Sequence, residues 1–500
     1  MKKFYVIILV LLAFSMLTAC GNNQETLVVN TPPTLADPDT PLSGNLTVSL
    51  FDSLMVRQFV EEAANLFTSI HTDVTITVES FSSPPEMRTV ELEDGTVRTA
   101  MRVENAPEER RDFINQVSTD LMGGRGADIL GFNTLPFHRY AQQGHLVDLT
   151  QFMNNDPNFN INDYKSNILD VLTTDNGLFM LPLSYSFNYL VFDSTLFSAE
   201  QKNMLLSNDV HSISDLLHAT DSPYQLMPSF SITLLNQVFS LYRGHFIDIE
   251  NRTANFTDGV FEELITAIKH LNEAGELHEM TQFAGAATTG AATRFGGQQA
   301  EQTTRYYYKI NPAITLFNEF NRDDPDRFAM SFGSGITDDD LIAGLLSNSR
   351  GDVPFFIGGM GSGEAFGINS NSQNQALAWE FIKFMSSTAM MELLQAQSLG
   401  GIPLHIGAFE EYARRFATNA FFGGSDENEI LEMDEAQTAR FNAYVETVLR
   451  FSNLLNTFND IDELIDEMVL PAINEFFEGS ISAEDLAQNL QGRVSLILNE

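Results

Sequence analysis

The sequence predicts an α/β fold, and three observations predict it. Asn45–Phe51 alternates apolar and polar residues, with Leu46, Val48 and Leu50 on one face, which is the period of a half-buried strand. Val56, Phe59, Val60, Ala63, Leu66 and Phe67 then recur at helical spacing, and Val74–Val78 returns to strand character. Strand, helix and strand in succession open an α/β unit. The 500 residues also suffice for roughly two or three domain-sized units with their own cores.

Before that unit lie 43 residues of another kind. Lys2 and Lys3 precede an apolar run, Tyr5–Met16, which is short for a transmembrane helix. Leu17-Thr18-Ala19-Cys20 follows. Small residues suit an export peptidase, and this pattern resembles the lipobox of bacterial lipoproteins. Residues 1–19 are therefore expected to be a signal peptide, with Cys20 carrying lipid at the new N-terminus. Two or more acyl chains give stable anchoring where one gives marginal binding. Cys20 is the only cysteine, so no internal disulfide is expected. Residues 20–43, polar and containing Pro32, Pro33, Pro38 and Pro41, read as a flexible tether.

Beyond Val78, Val90–Arg98 places Asp94-Gly95 between alternating runs and predicts a hairpin inserted within 82–107. Arg110–Met122 reads as a helix stopped by Gly123-Gly124, Ala127–Gly131 as a short buried strand, and Pro136–Gln143 as a helix closed by Gly144. Phe179–Leu183 and Tyr189–Phe192 are apolar runs around a polar loop, Ser184–Asn188. Asp258–Gly275 contains an amphipathic helix with Phe261, Leu264, Ile265, Ile268 and Leu271 on one face. Ala284–Gly297 reads as a loop, Gly358–Gly367 as a glycine-rich passage and Gln373–Met385 as a helix. Ser482 is the expected N-cap of a last helix carrying Leu486, Leu490, Val494 and Ile497.

Composition excludes several functions. The net charge is −40, and removal of Lys2 and Lys3 leaves 25 basic against 67 acidic residues, a net −42. Such a surface repels nucleic acid and anionic lipid. No nucleophile elbow, H-E-x-x-H motif or second cysteine marks an enzyme. The nine histidines lack metal-ligand spacing. Gly358–Gly363 is neither a dinucleotide fingerprint nor a P-loop. No catalytic residue, cofactor or metal is expected. Trp379, the only tryptophan, lies in a helix with Leu377, Ala378, Phe381, Ile382 and Phe384 and reads as core. Tyr306-Tyr307-Tyr308 fits two readings equally, stacking faces for a solute or strand aromatics.

Four segments in order carry a resemblance: Gly126–Gly131 with Gln143–Thr150; Gly177–Pro182 with Tyr189–Asp193; Gly358–Ile368 with Asn371–Phe384 and Gly400–Pro403; and the tail Gly479–Glu500. Together they are similar to extracellular solute-binding lipoproteins of ABC importers, of the maltose-binding-protein-like type. The resemblance implies a two-lobed periplasmic-binding-protein-like α/β fold, with a ligand cleft between lobes joined by crossing hinge strands. It implies a first lobe in 44–182 and 358–402, a second lobe in 183–357, and helices in 403–500 packing mainly on the second lobe and hinge. The crossings fall near 182–192, 354–366 and 400–403.

Ligands of open α/β sheets sit beyond the carboxyl ends of strands. On that reasoning the expected ligand contacts are Asp52, Ser53, Asn133, Tyr185, Ser186, Asn188, Met360, Ser362 and Glu364. The implied function is capture of a small polar solute, a sugar or oligosaccharide, for an ABC permease, by a monomer held at the extracellular face of the cell membrane through Cys20. The alternatives are a surface sensor of a non-sugar solute and an extracellular hydrolase.

Overall fold

A computed structural model of the chain describes residues 35–36, 40–51, 54–81, 86–91, 97–102, 106–132, 134–193, 198–212, 239, 241–249, 251–273, 308–312, 341–348, 350–358, 364–390, 401–421, 433–459 and 463–499. The expected signal peptide, Cys20, most of the expected tether and the expected loop at Ala284–Gly297 lie outside the described residues.

The α/β opening forms as its periodicity requires. Strand β1 (Ser43–Phe51) pairs in parallel with β2 (Asp73–Phe81) across helix α1 (Leu54–Ile70). Leu46, Val48 and Leu50 are buried together with Val56, Phe59, Val60, Ala63 and Phe67. Leu66, at the edge of the apolar stripe, is 42% exposed. The hairpin is β3 (Glu86–Glu91) against β4 (Val97–Arg102), antiparallel with Val90 opposite Arg98. Helix α2 (Ala106–Met122) follows, then β5 (Ile129–Gly131), parallel to β1.

Helices α3 (Phe137–Gln142), α4 (Thr150–Asn155) and α5 (Ser166–Leu172) lead to β6 (Leu181–Pro182), β7 (Ser184–Ser186) and β8 (Asn188–Asp193). The stretch expected as a polar loop, Ser184–Asn188, is therefore strand, and Ser184, Tyr185 and Ser186 are buried. The reason is long-range: β7 is held on both sides by strands from much later in the chain, so a local polar run is paired rather than solvated.

Helix α6 (Ala199–Ser207) and β9 (Val210–Ser212) come next, then β10 (Ile247–Asp248), β11 (Thr253–Ala254) and the amphipathic helix α7 (Val260–Glu273). Strand β12 (Tyr308–Pro312) contains Tyr308; Tyr306 and Tyr307 lie outside the described residues. Strands β13 (Leu341–Ser347), β14 (Pro354–Ile357) and β15 (Ala365–Ile368) precede helix α8 (Gln375–Met385) and β16 (Ile402–Pro403). The chain ends with α9 (Ile406–Phe421), α10 (Glu435–Ser452), β17 (Thr457–Phe458), α11 (Glu463–Phe477) and α12 (Ala483–Asn499).

Among the described residues three sheets have four or more strands, beside the two-stranded pairs β3-β4 and β10-β11. The first has the order β2-β1-β5-β15-β6, the second β12-β8-β13-β9, and a third, β16-β7-β14-β17, draws on four separate regions of sequence. One apolar core joins the first sheet, α1, α2, α8, α9 and α10. A separate core is built from Phe246, Phe256, Phe261, Ile265 and Ile268 with Val469, Ile473, Leu486, Leu490 and Val494. Helices α11 and α12 thus bury their apolar stripes against α7, as amphipathic helices must.

Candidate functional site

The chain passes between the sheets along converging paths. Over residues 181–193 it runs through β6 of the first sheet, β7 of the third and β8 of the second. It returns in the opposite order through β13, β14 and β15. A further segment enters the third sheet at β16, where Ile402 lies opposite Tyr185. Leu183 ties all three passages together: its N–H donates to the Glu364 carbonyl at 3.1 Å, and its carbonyl accepts from Leu404 N at 3.0 Å. Gly358 N donates to the Ser184 carbonyl at 2.8 Å.

The expected contacts distribute unevenly over this region. Asp52, Ser53, Asn133, Met360 and Ser362 lie outside the described residues. Tyr185 is 1% exposed, and its hydroxyl donates to Ser452 Oγ at 2.8 Å. Burial pushes this phenol well above its ordinary range, with the Ser452 bond opposing. Ser186 is buried in β7 opposite Phe356, and Asn188 is half-buried at the start of β8 opposite Pro312.

Glu364 immediately precedes β15, beside the carboxyl end of β5, where Phe132 N donates to the Ala365 carbonyl at 2.8 Å. It is 3% exposed, and neither carboxyl oxygen has a hydrogen-bond partner. Burial holds the carboxyl well above the usual carboxylate range.

Several residues of the recognisable motifs serve the scaffold. Asp128 accepts Thr47 N at 2.9 Å and Ser372 Oγ at 2.5 Å, stapling β1 and β5 to the turn before α8. Asn369 donates to the carbonyls of Arg125 and Ala127. Asp148 accepts the N–H groups of Thr150 and Leu178 at 3.0 and 3.1 Å. Trp379 is fully buried, as its helix context predicts, and its Nε1 donates to Asp156 Oδ2 at 2.9 Å. Lys383 Nζ donates to the same oxygen at 2.5 Å.

Sequence reasoning did not find the anchoring of β7 and of the start of α5 to the end of α10. Besides Ser452, this involves Lys165 Nζ donating to Asn453 Oδ1 at 2.6 Å, and Asn167 Nδ2 donating to the carbonyls of Ser452 and Leu455 at 2.8 and 2.9 Å. These partners are 285 or more residues apart in sequence, and no local pattern signals them. Among the described residues no group of His, Cys, Asp and Glu could hold a metal ion, and no helix is long and apolar enough to cross a membrane.

No protein-family model and no curated protein matches the sequence itself. Solved structures do match the fold. UspC of M. tuberculosis superposes with a TM-score of 0.53 at 13% identity, covering 91% of this chain and 100% of that one. A family 1 extracellular solute-binding protein from Alicyclobacillus acidocaldarius gives 0.51 at 13% identity over 92% and 100%. A cyclic alpha-maltosyl-1,6-maltose binding protein from Arthrobacter globiformis gives 0.50 at 14% identity over 91% and 99%. With three sheets joined by reversed passages and these structural neighbours, the chain has the two-lobed α/β fold of the extracellular solute-binding proteins.

Proposed function

We propose that this protein is a solute-binding lipoprotein that captures a sugar or oligosaccharide outside the cell and delivers it to an ABC importer. The observation that carries the reading is the meeting of the three chain passages at Leu183. A junction between two α/β bodies is where a cleft closes by hinge motion, and binding there needs no chemistry on the solute. That the Arthrobacter protein binds a cyclic maltose-derived saccharide supports the carbohydrate class. The lobes divide as the sequence divides them, at 44–182 with 358–402 and at 183–357. The contacts are drawn from Asp52, Ser53, Asn133, Ser186, Asn188, Met360, Ser362 and Glu364. Tyr185 contributes by placing β7, because its hydroxyl is engaged by Ser452.

Cleavage before Cys20 and acylation of its thiol hold the body at the extracellular face of the membrane, with residues 20–43 as the tether. An acidic monomer of net charge near −42 has little affinity of its own for anionic lipid, so the covalent anchor keeps it beside the permease. The test is calorimetric titration against mono- and oligosaccharides. Heat from a sugar supports the reading, and binding of only non-sugar solutes removes its carbohydrate part. Deletion of the protein separates transport from sensing: solute uptake falls if it feeds an importer and stays unchanged if it only senses.

A further inference from the structure

We propose that Glu364 is a solute-contacting residue and that it takes a hydroxyl group of an uncharged solute. This rests on the solute-binding reading above, which draws Glu364 among its contacts, and adds to it the ligand chemistry that this residue takes.

The position is built for a carboxyl group. Phe366, two residues on in β15, lies opposite Gly131 of β5, and the Glu364 side chain reaches back over that glycine. A Cβ at residue 131 would stand 3.0 Å from Glu364 Oε2, 3.3 Å from Leu50 Cβ and 3.7 Å from the Phe366 ring. The absence of a side chain at Gly131 is what leaves room for the carboxyl at the end of the sheet. The backbone of Glu364 is fixed separately, by the bond from Leu183 N at the meeting of the passages.

Glu364 is 3% exposed with both oxygens unpartnered. A buried polar group without a partner costs at least as much as a lost hydrogen bond. Such costs are retained where they serve a site. The other two groups that a Cβ at Gly131 would meet, Leu50 of β1 and Phe366 of β15, neither titrate nor donate from their side chains. Burial therefore keeps the group protonated well above the ordinary carboxyl range.

A neutral carboxyl has one donor and a free acceptor, and a hydroxyl has the same pair. The two match without any charge being buried. A cationic solute would need the ionised acid plus further acceptors to satisfy the buried pair. Neutral carboxylic acids held in apolar sites act as hydrogen-bond donors in this way.

The experiment is calorimetric titration of the full chain and its E364Q and E364L variants, between about pH 5 and pH 9. Maltotriose, tagatose and xylitol serve as uncharged probes, and glucosamine and spermidine as cationic ones. Infrared difference spectra of wild type against E364Q report the protonated-carboxyl band without any solute, and thermal unfolding checks that each variant is folded. The wild type is expected to show that band and to bind an uncharged probe more weakly as pH rises. E364Q, whose amide also donates and accepts, should bind within about threefold of the acid-form wild type and lose the pH dependence. E364L should bind about tenfold more weakly at every pH.

An uncharged probe that binds folded E364L as tightly as wild type overturns the role of Glu364 and leaves the solute-binding reading standing. Binding of glucosamine or spermidine that tightens as pH rises overturns the uncharged class. No binding of any probe by the folded wild type removes the solute-binding reading, and this assignment with it.

Discussion

At Asp156 two donors converge on one carboxylate oxygen, the indole of Trp379 and the ammonium of Lys383, and Glu380 completes the ion cluster from the next helical turn. Burial alone would push the Asp156 carboxyl up; the Lys383 and Trp379 bonds, with the Asn158 N–H, outweigh it and hold the group below the usual carboxylate range. The folded protein therefore binds fewer protons here than the unfolded chain. The contribution to stability is complete above about pH 4 and is lost as pH falls through the lowered value. Asp156→Asn removes the charge that Lys383 faces and should destabilise by about 2–4 kcal/mol at pH 7. Denaturant melts at about pH 7 and about pH 2 should show that difference shrinking at the lower pH. Glu364 has the opposite sign, because its folded value is raised. Its neutral form is most favourable below the ordinary value, and that advantage is lost as pH rises towards the folded value. E364Q should flatten the corresponding part of the melting profile of the solute-free protein. Trp379 was legible as core because one helix surrounds it with apolar residues. The pairing of Tyr185 with Ser452 was not, because its two halves are 267 residues apart.

Among the elements, turns and caps follow local chemistry most closely. Ser482 Oγ accepts from Asp485 N at 3.1 Å and donates to the Asp485 carboxylate at 2.7 Å, a reciprocal cap on α12. Ser482→Ala should lower stability by about 1 kcal/mol, measured by urea unfolding. The Asp148 turn is less forgiving. Gly177 has φ +126°, and a Cβ there would fall 2.3 Å from the Asp148 carboxylate. Gly177→Ala should cost about 2 kcal/mol or more and expose the Leu178 N–H to faster hydrogen exchange. Periodicity made α1, α7, α8 and the hairpin readable from sequence, since each carries its pattern within one stretch. It could not reveal β7. The strand is three residues long, its polar side chains are buried, and its partners β14 and β16 begin at residues 354 and 402.

For the whole molecule, the resemblance carried by four ordered segments implied two α/β bodies before any contact was known. What remained hidden was the third sheet, whose four strands are supplied by regions around residues 184, 354, 402 and 457. The candidate site was legible to the extent that strand ends could be located, and Glu364 was among the residues expected there. Its lack of a partner and its seat on Gly131 depend on the antiparallel insertion of β15, which sequence spacing does not encode. The proposed anchor at Cys20 belongs to this scale too. Cys20→Ala should move the protein from the membrane fraction to the soluble fraction while leaving sugar affinity within about twofold, as judged by fractionation and calorimetry of the released chain.

The sheet order β2-β1-β5-β15-β6 also sets a timetable. Strands β5 and β6 do not touch until β15, made more than 180 residues after β6, slides between them. A nascent chain that has reached residue 360 thus owns most of the first body but lacks the strip that closes its sheet. Such long-range closure slows folding, so the N-terminal half should stay protease-sensitive until the later strand has been synthesised.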